Sequence, residues 1–169
     1  MKKIFSLFAI FFFAASAAAF AAVPNRSGAQ SSFSAGINKL FFPADKELEK
    51  IFGGKAKKVT KETVDAFSFS TKHWPGGEAK YSLSEDTPRV IEIKVTKPVI
   101  SVGGLRAGKN ITKADLSKFE NNMGKAGWEL SGDSPDGLVW HDKNGNWLKI
   151  VTSAHETHIR SISWGVTYQ

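Results

Sequence analysis

The chain has 169 residues, no cysteine, 23 basic against 16 acidic side chains and a formal net charge of +7. Such a length fits one ordinary domain, and the missing cysteine excludes a disulfide-stapled scaffold, a thiolate metal centre and a cysteine nucleophile. The positive excess leaves an anionic surface open as a partner, but the basic residues are scattered, so no nucleic-acid partner is expected.

The N-terminus begins Met1, Lys2, Lys3, continues with an apolar run from Ile4 to Phe13, and ends an alanine-rich stretch at Ala19-Phe20-Ala21. A short basic start, an apolar stretch and a small-x-small site together describe a secretory signal peptide, 1–21, cleaved after Ala21. The strongly apolar part is much shorter than the roughly 20 residues of a spanning helix. No cysteine follows it to carry a lipid. A periplasmic or secreted bacterial protein is therefore expected, not an integral membrane one. Residues 22–35 are rich in Ser, Gly, Ala, Asn and Gln and read as a flexible mature N-terminus, leaving a single domain over 36–169.

A first helix is predicted from Pro43, the acids Asp45 and Glu47, and the apolar positions Ala44, Leu48, Ile51 and Phe52, with Gly53-Gly54 ending it. The cluster Lys55, Lys57, Lys58 and Lys61 reads as a solvated loop or helix end. Phe67 and Phe69 alternate with small residues, Trp74-Pro75-Gly76-Gly77 turns the chain, and Tyr81 and Leu83 continue a second strand. Further strands are predicted over 90–95 and 99–102. A second helix has Thr112 as N-cap, Asp115 to complete a capping box, Ile111 to staple against Leu116, and a stripe of Leu116, Phe119 and Met123 before Gly124 or Gly127. Strands follow over 128–130, 137–141, 147–152 and 158–168, with Asn144-Gly145 expected as a two-residue type I′ hairpin loop. These elements predict an α+β fold, an antiparallel sheet with two helices packed on one face.

The two halves share an order of elements. Gly36-Ile37 corresponds to Gly104-Leu105, Phe52-Gly53 to Met123-Gly124, Trp74 to Trp140, and the run 90–93 to 159–162. A tandem α-β-β-β repeat, 36–98 and 99–169, accounts for this order. The run Gly104-Leu105-Arg106-Ala107-Gly108, the capped helix and Met123-Gly124-Lys125 resemble the tandem repeat of beta-lactamase inhibitor proteins and of small outer-membrane assembly lipoproteins. That resemblance implies an extracytoplasmic protein, with helices on one face of an antiparallel sheet, that binds other proteins. The chain departs from the pattern at Lys109-Asn110, which are inserted, at Ala126, where proline is usual, and in lacking the inhibitor's cysteines.

Catalytic patterns are sparse. His155, Glu156 and His158 could supply metal ligands for a hydrolase, with His141 or His73 completing the set, but the run is one residue short of the zincin spacing. No nucleophile elbow or phosphate loop is present, and no cofactor is expected. The C-terminal alternation of Ile162, Trp164, Val166 and Tyr168 resembles a barrel strand, yet two helices leave too little strand for a barrel. The tryptophans carry more information. A two-residue loop at Asn144-Gly145 would put Asp142, Trp147, Trp140 and Lys149 on one face and Val139, His141, Leu148 and Ile150 on the other. With the second set on the helices, Trp140, Trp147, Lys149 and Asp142 form the expected protein-binding face.

Overall fold

The structure is a computed structural model that describes residues 33–41, 43–84, 87–134, 137–153 and 157–167. The expected signal peptide and most of the 22–35 segment lie outside the described residues.

Among the described residues three helices accompany eight strands. A helical segment, α1, covers residues 33–38, and the Phe33 ring meets the Phe119 ring edge-on at 5.8 Å. Ordered structure thus extends into the segment expected to be flexible. Helix α2 spans Asp45–Phe52. Alanine at its N-cap offers no side-chain acceptor, but the Glu47 carboxylate accepts the Ala44 N–H at 3.0 Å, and Gly53 closes the helix at φ 77°. Helix α3 spans Lys113–Lys125, and its capping box forms as expected: Asp115 N–H donates to Thr112 Oγ1 at 3.1 Å while Thr112 N–H and O–H donate to Asp115 Oδ2. Its stop falls at Gly127, φ 83°, whose conformation lets Trp128 N–H reach back to the Met123 carbonyl.

The strands are β1 (Lys58–Val64), β2 (Phe67–Trp74), β3 (Gly77–Ser82), β4 (Arg89–Val95), β5 (Glu129–Ser134), β6 (Gly137–His141), β7 (Asn146–Thr152) and β8 (Ile159–Val166). They form one antiparallel sheet in the order β1-β2-β3-β4-β8-β7-β6-β5. Each half of the chain therefore contributes a four-stranded meander preceded by a helix, and the two meanders join through their last strands. Two expectations fail here. Residues 99–102 form no strand, for Val102 makes only an isolated bridge to Leu105. Conversely, the lysine-rich segment reads through into β1, an edge strand whose β-branched Val59, Thr60, Thr63 and Val64 favour extension while its lysines keep the edge solvated.

Strand alternation sorts the side chains of this sheet into an apolar and a polar face. One row runs Trp140–Leu148–Trp164–Ile93–Ala79 and the next Leu138–Ile150–Ile162–Val95–Gly77 across the paired strands. Apart from Gly77 and the partly buried Leu138, these residues form the core together with Leu48, Phe52, Leu116, Phe119 and Met123 from the helices. The helix-to-sheet contacts are specific. Phe52 stacks on Trp74 at 4.7 Å, Phe119 meets Trp140 edge-on at 5.4 Å, and from the turn after α1 the Leu40 carbonyl accepts Trp164 Nε1–H at 2.7 Å. No described helix is long and apolar enough to cross a membrane.

Candidate functional site

The β6–β7 hairpin decides what the second face presents. Its loop has three residues, Lys143, Asn144 and Gly145, closed by the bond from Asp142 N–H to the Asn146 carbonyl at 3.0 Å. A type I′ turn would need Asn144 at positive φ, but Asp65 is the only non-glycine residue with positive φ among the described residues. Gly145 alone takes the left-handed conformation, φ 78°, as in a type I turn followed by a glycine bulge. Asp142 selects this loop. Its Oδ1 accepts the N–H groups of Asn144 and Asn146 at 2.8 and 2.9 Å, and its Oδ2 accepts both side-chain amides at 3.2 and 2.8 Å. Partial burial on its own would raise the Asp142 carboxyl; the bonds from Asn146 and Asn144 outweigh it and hold the group below its ordinary value.

One extra loop residue moves the register by one, and a one-residue slip sends every side chain of a strand to the opposite face. Trp140 therefore pairs with Leu148, and His141 with Trp147. The expected binding set is split. Trp140 is 2% exposed, in the core against Phe119, Asp142 is spent on the turn, and only Trp147 and Lys149 remain on the polar face. They are joined there by Val139, expected in the core, and by His141, expected on the core-side face.

Across the sheet this polar face reads as two rows. The first is His141–Trp147–Gly165–Glu92–Lys80–Thr71–Thr60, and the second Val139–Lys149–Ser163–Lys94–Glu78–His73–Lys58. Along β3 and β4 acid alternates with base, Glu78 with Lys80 and Glu92 with Lys94. Glu78 meets His73 Nδ1 at 3.1 Å and Lys94 Nζ at 3.8 Å, while Lys80 Nζ meets Glu62 at 2.6 Å and lies over the Phe69 ring at 4.4 Å. His73 Nε2 also lies 2.9 Å from Thr60 Oγ1. Glu92 stands half-buried in the middle. Burial pushes its carboxyl above the ordinary value, against the pull of Lys80, Lys94 and Lys149. At the end of the first row Trp147 lies across β8: its Cζ2 is 2.9 Å from where a Gly165 Cβ would stand, so only glycine admits the indole there.

The alternative histidine site is not assembled among the described residues. His155 and Glu156 lie outside them, and His158 Nδ1 sits 3.2 Å from Asn110 Oδ1. His73 on β2 and His141 on β6 are separated by four intervening strands. No group of three His, Asp or Glu among the described residues could hold a metal ion. A separate cavity of about 600 Å³ lies where α2 enters, lined in part by Asp45, Lys72, Tyr81, Leu83 and Pro88. Its polar groups fasten the helix to the sheet, for Lys72 Nζ and Tyr81 O–H each donate to Asp45 at 2.6 Å. Burial, reinforced by that bond to Asp45, drives the Tyr81 phenol far up from its ordinary value.

The polar-face cluster was missed in the sequence although its signal was present. Glu92 and Lys94 alternate with Ile93 and Val95, and Glu78 and Lys80 with Ala79 and Tyr81, as a half-buried strand requires. No family model, curated protein or solved structure matches the chain.

Proposed function

We propose that this chain is a periplasmic or secreted binding protein that recognises another protein through the polar face of its sheet, centred on Trp147. In this reading the helices form one layer over the apolar face, the two helix-plus-meander halves descend from a duplicated unit, and the polar face is left to a partner. The observation that carries it is the placement of Trp147. A large aromatic side chain stands directly against a glycine on the sheet face opposite the core, near Lys149 and the half-buried Glu92. Aromatic anchors ringed by charged groups are the usual energetic centre of a protein interface. The alternating acids and bases would fix a partner's register and reject like-charged surfaces, which is where interfacial charges contribute most.

Affinity capture from the periplasm and culture medium of the source cell tests this, with wild type and Trp147→Ala run in parallel. A stoichiometric protein held by wild type and lost by Trp147→Ala, at unchanged fold, is the expected result. Capture that survives Trp147→Ala and the charge reversal Lys94→Glu would refute a role for this face.

A further inference from the structure

A second concavity lies away from the polar face, between the 103–110 loop and α3. It encloses about 380 Å³. Leu105, Ile111, Phe119 and Ile159, all buried, supply its apolar floor. Its charged lining consists of Arg106, Lys109 and Lys118 against one acid, Asp115.

That acid is already committed. Its Oδ2 takes the Thr112 O–H at 2.7 Å and the Thr112 N–H at 3.3 Å, and these bonds hold the carboxyl below its ordinary value with Lys118 adding only its field. None of the three cations forms an ion pair with a described residue. The contrast with the polar face is direct, because there Lys80 and Lys94 both reach carboxylates. Three like charges around one concavity repel each other and leave a standing positive potential that an anion would relieve. A guanidinium fork flanked by two ammonium groups is the donor set that phosphate oxygens accept. The excess of two positive charges in the lining matches a phosphate dianion better than a carboxylate. The volume exceeds that of a bare ion and leaves the apolar floor to cover the alcohol part of an ester.

We propose that this groove binds a phosphate monoester through Arg106, Lys109 and Lys118. The ester could be a free metabolite or the headgroup of phosphatidic acid, and two probes separate these sources. Glycerol 3-phosphate is titrated into the isotopically labelled protein while amide shifts are recorded. Co-sedimentation is measured with phosphatidylcholine vesicles, with and without phosphatidic acid. For a soluble ligand, saturable shifts are expected in the 103–122 region. For a lipid headgroup, sedimentation should depend on phosphatidic acid. In either case the double variant R106A/K118A, both positions exposed, should weaken binding roughly tenfold or more, the scale of losing charge-assisted contacts. The variant K46A/K50A, which removes two lysines from α2, should bind as wild type. If neither probe engages the groove, or if both variants lose binding equally, the proposal is wrong and the charge acts only as a diffuse field.

Discussion

Truncating the two hairpin tryptophans in turn should separate core from recognition surface. Trp140 is almost fully buried and meets Phe119 edge-on. Replacing it by alanine removes on the order of 150–250 Å² of buried aromatic surface, worth about 4–6 kcal/mol at ~25 cal/mol per Å². Partial collapse of the site brings the expected cost of Trp140→Ala to about 3–5 kcal/mol. For a domain of this size that lowers the melting midpoint by roughly 10 °C. Trp147 lies outside the core, only partly buried and set against Gly165, so Trp147→Ala should cost about 1 kcal/mol, as is typical away from the core. Urea unfolding followed by far-UV circular dichroism measures both, and m should stay unchanged so that the midpoints compare directly. Equal losses for the two variants would refute the assigned register, because a two-residue loop puts both tryptophans on one face.

Gly165→Ala should be more damaging than its size implies, because the new methyl would run into the Ile91 carbonyl as well as the Trp147 ring; faster amide exchange along β4 and β8 is the expected readout. Glu92→Gln should stabilise the fold at neutral pH. A carboxyl raised by burial contributes no penalty below its unfolded value of about 4.3, and its ionisation costs stability as pH rises through the folded value, so the gain over wild type should vanish in acid. Asp142 has the opposite sign: its depressed carboxyl stabilises the fold above the unfolded value of about 3.9, and that contribution is lost as pH falls through the folded value. Asp142→Ala should accordingly be less stable than wild type at neutral pH and converge with it in acid. Tyr81→Phe should lose one of the two bonds that tie α2 to the sheet, a cost of about 1.5–3 kcal/mol for a hydrogen bond to a charged acceptor, measured by denaturant melts.

Much of this fold is written in local signals. Thr112 and Asp115 announce α3 because their side chains satisfy the helix's own first donors, and Gly53 and Gly127 announce helix ends because they adopt positive φ. Strands β2, β4, β7 and β8 follow from alternation that the core enforces. The first strand was hidden for the complementary reason. It is an edge that buries almost nothing, so its apolar pattern is weak and its lysines read as loop. Residues 99–102 differ in the other direction: their apolar run ends in the Val102–Leu105 bridge that Gly103 and Gly104 turn, and pairs with no strand of the sheet. The polar-face cluster was legible strand by strand in its alternating charges, but its assembly depends on long-range pairing, above all the β4–β8 junction between the halves.

The hairpin register was the decisive quantity, and it rests on the side chain of Asp142. Asn144-Gly145 favours a two-residue loop when judged alone, because asparagine tolerates positive φ. Asp142 two residues earlier and Asn146 two residues later offer a competing set of four hydrogen bonds that exists only in the longer loop. Packing points the same way. The longer loop places Trp140, Leu148 and Ile150 together on the core side, whereas the shorter one would bring Trp140 and Lys149 to the same face. On the other side of β7, Trp147 stands opposite Gly165, the one glycine of β8, where the indole meets no side chain. The turn network, the core and the glycine on a neighbouring strand thus agree on a register that none of them specifies alone. The recognition face proposed for this protein follows from their agreement.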